Sequence, residues 1–480
     1  MSVAARARAG LVVALVLALA PLGLRAASFD DPLATQAALP DTPAKRVVAS
    51  GLMPCVVGAV DGPLTVLDAV RRALCHHPQT RQAWAAVEAR SAAVGVGKAA
   101  YLPTLGASAS ISQAHAKVTY PDAAVLNSTY DGRSDQERLS LDWVLFDFGL
   151  RAANLRHERA LLDAAGASLD DTVQAVFLEA ARAYYAAAEA EATLATKAEA
   201  ERIAARVVDV VEAKLEAGVG QEVDRLQART ALANASLDRI RAAQRVDAAL
   251  AAVAVASGIR PGTPIVLAGL VDAPPPDDGF DDKVDRLIQQ AVHAHPRIAA
   301  AQSQLDAARE TVAATRAAGR PTVSVAAVGD RSNTPLDRVA TEQTIETSSI
   351  GLNLTIPLFE GFGRHYRIRQ AEAEVEGRKA DLFAAQQDVA QTVWDSYVTV
   401  RGSAREREAV AAVLDTANRS FELALGRYES GVGNIIELLN AQSALAGARE
   451  QDVVVRARSR LARLQLAASL GRLDFALLRR

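Results

Sequence analysis

Aromatic residues make up only 4% of the 480-residue sequence, although half of it is hydrophobic. Ala, Val and Leu therefore carry the apolar content. With 23% charged residues, such a composition points to long packed helices rather than a compact mixed domain. Cysteine is almost missing. Cys55 and Cys75 cannot define a disulfide scaffold; they form either one disulfide or two buried thiols, and the sequence leaves both open. The formal net charge is only −3, which gives no basic surface for nucleic acid. Beyond the N-terminus no stretch approaches 18 apolar residues, so no helix is expected to cross a bilayer. A Ser-His-Asp order, a phosphate loop and paired buried carboxylates are also lacking. The repeated His-Pro edges at His76, His77, His293 and His295 read as helix-end packing, because a metal site needs convergent ligands. No enzyme, cofactor or metal site is expected.

What is present begins with an export signal. Arg6 and Arg8 precede a short apolar run, Leu11 to Ala20, which Pro21 and Gly23 break. Ala26 and Ala27 offer small cleavage positions, so residues 1–27 read as a signal peptide. No Cys follows to carry a lipid. An exported chain without a spanning helix is periplasmic, secreted, or an outer-membrane β-barrel.

The sequence also repeats itself at a shift of about 213 to 218 residues, the kind of period to seek first. Ala73-Leu74-Cys75-His76-His77-Pro78 matches Ala291-Val292-His293-Ala294-His295-Pro296, and Pro103-Thr104 matches Pro321-Thr322. Phe146-Asp147-Phe148-Gly149 matches Phe359-Glu360-Gly361-Phe362-Gly363, with one residue inserted. Glu216-Ala217-Gly218-Val219-Gly220 matches Glu429-Ser430-Gly431-Val432-Gly433. The expected division is an N-terminal extension 28–63, a first repeat 64–258, a linker 259–283 holding Pro274-Pro275-Pro276, a second repeat 284–471 and a tail 472–480.

Within each half the pattern predicts helix, hairpin, long helix, turn and helix. Helical spacing opens near Leu64, with Pro78 and Pro296 marking a bend or restart, and ends before Pro103 and Pro321. Period-two alternation follows at Leu105 to Ile111 and Leu139 to Leu145, then at Val323 to Val325 and Ile350 to Ile356. That is the mark of a barrel strand. Polar loops with Pro121, Asn127 and Gly132, or with Asn333, Pro335 and Asp337, separate the paired strands. Four strands cannot close a barrel, so either helices cover the sheet or several chains share one barrel. Gly149 to Ala217 has no proline; as one helix it would be about 100 Å long. Val207, Val211 and Leu215 give it a narrow apolar seam of the coiled-coil kind.

These features, with Tyr101 to Leu105, Phe359 to Gly363, and Gly-Val-Gly followed by Leu439-Asn440-Ala441, resemble the TolC-type outer-membrane factor family over about residues 60 to 475. Within it the resemblance is to the outer-membrane proteins of cyclolysin (adenylate cyclase toxin) type I secretion systems. The resemblance implies a mainly α fold with a membrane β-barrel portion. Three chains would share a twelve-stranded barrel above a coiled-coil helical tunnel. It implies a homotrimer in the outer membrane extending into the periplasm, a periplasmic adaptor, an inner-membrane ABC transporter and an exported protein substrate. A duct for small-molecule efflux is the alternative on the same architecture, and a periplasmic scaffold without a pore is a third reading.

The resemblance also places the turns Gly218-Val219-Gly220 and Gly431-Val432-Gly433 at the periplasmic tip, where the adaptor docks. Without a preceding strand or a following Lys-Ser/Thr they are no phosphate loop. Asp224 and Glu437, six residues after the first glycine of each turn, would face the entrance with Tyr428 and Arg427. The plain alternative is two solvated acids favoured by the helix dipole. Trp143, Phe146, Phe148, Phe359 and Phe362 flank the strand ends, as an interfacial aromatic girdle or as packing at a strand-to-helix corner.

Overall fold

The computed structural model describes residues 31–39, 62–268, 283–335 and 342–473. The segment 1–27, Cys55, Pro274 to Pro276, Asp337 and residues 474–480 lie outside them. The first half holds α1 (Val66–His76), α2 (Pro78–Ala99), β1 (Thr104–Val118), β2 (Ser128–Phe146), α3 (Leu150–Glu216) and α4 (Glu222–Ala256). The second holds α5 (Val284–Ala294), α6 (Pro296–Ala317), β3 (Thr322–Pro335), β4 (Glu342–Thr355), α7 (Gly363–Glu429) and α8 (Ile435–Ser469). Corresponding helices have the same lengths in both halves: 11, 22, 67 and 35 residues. No described helix is long and apolar enough to cross a membrane.

The helix start expected at Leu64 is corrected to Val66, because Leu64 pairs with Leu267 in a parallel bridge and Thr65 caps the helix by accepting the Asp68 N–H at 3.1 Å. Pro78 and Pro296 restart the chain rather than bend it. His77 and His295 before them are extended, as the residue before a proline prefers. Cys75, on α1, is disulfide-bonded.

The chain divides into two compact units. One contains the four strands, with residues 91–155, 320–357 and 31–39. Its sheet is antiparallel throughout, in the order β1-β2-β3-β4. The register collects apolar residues on one face: Leu105, Leu141, Ala327 and Ile350 form one row, and Trp143, Val325 and Leu352 the next. The opposite face takes rows such as Ser108, Arg138, Asp330 and Thr347. A one-residue slip would exchange the faces. The strands run further than the alternation predicts. Gly132, placed in a loop by its sequence context, pairs with Ala114, and Asn333 and Pro335 lie within β3. The apolar alternation of the sequence has stopped there, while the backbone pairing continues.

In the same unit Asp147 ends β2 and starts α3. Its carboxylate accepts the Arg151 N–H at 2.9 Å and Arg151 Nε–H at 2.8 Å, and both side chains are nearly buried. Arg151 also donates to the Val144 carbonyl at 2.7 Å and lies 4.7 Å from the Tyr101 ring centre. Segment 31–39 packs on α2, where Ser91 Oγ donates to the Thr35 carbonyl at 2.9 Å and Lys98 Nζ to the Leu33 carbonyl at 2.9 Å.

The second unit holds the rest of the helices. Four apolar clusters bind them, and the largest joins Val207, Val211 and Ala228 of the first half to Phe421, Leu438 and Leu445 of the second. Ala is common in these clusters, which lets helix axes approach closely. Each half closes with a glycine of positive φ. Gly258 follows α4 and a Cβ there would meet His76; Gly471 follows α8 and a Cβ there would meet Pro296 at 3.2 Å.

Candidate functional site

The two Gly-Val-Gly turns are built alike. After α3, the Val219 and Gly220 N–H groups both donate to the Lys214 carbonyl at 3.0 Å; after α7, those of Val432 and Gly433 both donate to the Arg427 carbonyl at 3.0 Å. These bonds satisfy carbonyls that the helix end leaves without partners. The first glycine of each turn supplies a left-handed residue, Gly218 at φ 75° and Gly431 at φ 79°. The second supplies space: a Cβ on Gly220 would stand 2.7 Å from Leu215 N, and one on Gly433 3.0 Å from Tyr428 N. Val219 and Val432 between them are 77% and 71% exposed, so each turn presents one apolar side chain to the outside.

Asp224 and Glu437 each occupy the third position of the helix that follows, where a carboxylate favours the helix dipole. Asn434 caps α8 by accepting the Glu437 N–H at 2.8 Å, whereas Gln221 makes no side-chain cap for α4. Both acids also have partners within the chain. Tyr428 Oη–H donates to Asp224 Oδ2 at 3.2 Å, and Arg427 Nε lies 3.5 Å from Glu437 Oε1. The four residues singled out by sequence are thus brought together as two pairs. Tyr428 is 4% exposed. Burial, and then the Asp224 carboxylate, push its phenol up to about 12, so it remains a donor at physiological pH.

Sequence reasoning missed Lys214. Its ammonium bonds to the Tyr428 carbonyl and stands 4.5 Å from the Tyr428 ring centre. Its position four residues before the first turn glycine, matching Arg427 before the second, was the available signal.

The aromatic candidates all stand exposed at strand-to-helix corners. Phe146 and Phe148 meet edge to face at 4.6 Å between ring centres, as do Phe359 and Phe362 at 5.4 Å. Trp143 Nε1–H donates to the Tyr101 carbonyl at 2.9 Å. Sequence reasoning also missed the ion pair at each corner. Glu360 bonds to Arg364 at 2.6 Å and also to Arg367, and these cations hold its carboxyl below the usual range. An acid followed four residues later by Arg in both repeats, Asp147-Arg151 and Glu360-Arg364, was a visible clue.

No group of three or more His, Cys, Asp or Glu among the described residues could hold a metal ion. His295 accepts the Arg297 N–H at 3.2 Å through Nδ1, and burial holds its pKa down.

Known proteins resemble this chain in sequence and fold. The family model described as Outer membrane efflux protein matches residues 69–259 and 287–472. Protein CyaE of Bordetella pertussis is 36% identical over 410 residues, covering 85% of this chain and 84% of that protein. The alkaline protease secretion protein AprF of Pseudomonas aeruginosa is 25% identical over 403 residues, covering 81% and 80%. The crystal structure of the outer membrane protein VceC from Vibrio cholerae superposes with a TM-score of 0.72 at 19% identity, covering 85% of this chain and 96% of that one. Twice-matched family segments, a mainly helical fold with one small sheet, and relatives matched over most of their length agree: the chain belongs to the outer membrane efflux protein family and is a TolC-like channel protein of the outer membrane.

Proposed function

We propose that three copies of the chain close one barrel and that the assembly is the outer-membrane duct of a type I protein secretion system. The single observation that carries the barrel is the four-stranded sheet with one apolar exposed face. β1 and β4 are its two edges, and an open edge cannot rest in lipid. Edge-to-edge pairing of three sheets gives twelve strands. Exposed Trp143, Phe146, Phe148, Phe359 and Phe362 would then sit as girdles where the barrel meets the headgroups.

On this reading residues 64–258 and 284–471 are two structural repeats that supply two helical hairpins per chain. Six Gly-Val-Gly turns would ring the periplasmic entrance. Val219 and Val432 would offer the adaptor protein its apolar contacts, and Asp224 and Glu437 would bring six carboxylates around one opening, favouring cations. An inner-membrane ABC transporter would supply the energy, and the channel itself would do no chemistry. Two findings support protein export: the identity with CyaE and the match to a protein named for protease secretion. Small-molecule efflux is the second and less supported reading; the family description names efflux without naming what is carried.

A clean deletion of the gene separates the two. Loss of one extracellular protein with unchanged susceptibility to dyes and detergents is expected. Raised susceptibility with normal secretion would move the assignment to efflux.

A further inference from the structure

Tyr428 lies in the last turn of α7, where carbonyls lack partners along the helix. Its carbonyl receives the Gly431 N–H at 3.1 Å and the Lys214 ammonium. That ammonium also stands 4.5 Å from the Tyr428 ring centre. One cation therefore grips the residue twice, as a charge at a helix C-terminus and as a cation against an aromatic face. The phenol at the other end of the ring donates to Asp224.

The backbone of Lys214 is engaged as well, since its carbonyl closes the first turn through Val219 and Gly220. Lys214 thus ties the first turn to the end of the second hairpin. Its counterpart Arg427 closes the second turn by the same backbone bonds, but its side chain goes to Glu437 within its own hairpin. The basic side chain of the turn crosses between hairpins in one repeat and not in the other.

We propose that Lys214 is a positioning residue of the gate: it holds Tyr428 so that the phenol meets Asp224, and its release frees the second hairpin's turn from the first. This rests on the reading of the turns as the channel entrance. Among the described residues, the next ion pairs joining the two hairpins are Lys197 with Glu450 at 2.8 Å and Glu199 with Arg449 at 3.9 Å. They lie about 25 Å further along α3. Between them and Lys214 the hairpins meet through Val207, Val211, Phe421, Ala424 and Leu438. Apolar contact of this kind is non-directional, so a released turn can shift over that length without breaking another ion pair.

The test is single-channel recording on the full-length protein in planar bilayers, comparing wild type with Lys214→Met, Lys214→Arg, Tyr428→Phe, Asp224→Asn and the double variant Lys214→Met/Tyr428→Phe. Lys214→Met keeps the stem and removes the charge. It should raise the open fraction roughly ten- to a hundredfold, the scale of one lost charge-assisted hydrogen bond. Lys214→Arg should restore most of the closed fraction. The double variant should open little further than either single one, because residues acting through one contact are not additive. Wild-type behaviour of Lys214→Met while Asp224→Asn opens the channel would overturn the role of Lys214 and leave the entrance reading standing. Additive effects of Lys214→Met and Tyr428→Phe would overturn it too. Silence of every variant would overturn the entrance reading itself, and the proposal with it.

Discussion

The Tyr428 hydroxyl reaches across from the end of α7 to the Asp224 carboxylate at the start of α4, 3.2 Å away. This bond depends on a neutral phenol, and the phenol is pushed up from 10 to about 12. A raised folded-state pKa means that its contribution is complete below about 10 and is lost as pH climbs through about 12. Channel conductance should therefore be flat from neutral pH to about 10 and rise above it. Tyr428→Phe should show the higher conductance at every pH, and a wild-type profile unaltered up to pH 12 would contradict the bond's role in closure.

The second turn glycines should tolerate substitution unequally. Gly220→Ala places its methyl 2.7 Å from the Leu215 backbone, Gly433→Ala 3.0 Å from that of Tyr428. Backbone must move in both, at a cost of roughly 1 to 3 kcal/mol, with Gly220→Ala the worse. Val219→Ser and Val432→Ser should leave stability unchanged, since those side chains are exposed. Limited proteolysis at the turns ranks the four variants.

At the corner before α3, Arg151→Ala leaves the nearly buried Asp147 carboxylate without its cation. Breaking such a pair should destabilise the protein by about 3 kcal/mol. Arg364→Ala should cost clearly less, because Glu360 keeps Arg367 and is open to solvent. Thermal unfolding of the two variants reports the difference, and equal losses would refute it.

Strand faces should differ in the same way. Leu352 lies on the apolar face beside Val325 and Trp143, while Asn353 points to the other side. Leu352→Lys should lower barrel stability by about 2 to 4 kcal/mol if that face meets lipid, and Asn353→Lys should be tolerated. Heat-resistant trimers on gels would be lost in the first variant and kept in the second.

Much of the fold is legible in the sequence because period and breakers carry it. Pro78 and Pro296, the two Gly-Val-Gly turns and the alternation around Leu141 and Leu352 mark where elements start and stop. The strand extensions at Gly132 and Asn333 were not legible, since pairing through backbone leaves no trace in side-chain pattern. Asp224, Glu437, Tyr428 and Arg427 could be picked out from the sequence and the resemblance it carries. Which pairs with which could not, because Tyr428 and Asp224 are 204 residues apart and meet only once α3, α4, α7 and α8 have packed.

The matched helix lengths restrict how this protein can change. One residue added to α3 would turn everything after it by about 100° about the helix axis, carrying Val207 and Val211 out of the shared core and Lys214 away from Tyr428. Only the loss of one residue elsewhere before Val207 in the same helix would turn those side chains back. The β-hairpin segments obey no such constraint: 50 residues, 100–149, separate α2 from α3, and 45, 318–362, separate α6 from α7. Insertions and deletions should therefore gather at the hairpin ends, while the helical part drifts by substitution alone, with its length fixed like the pitch of a screw.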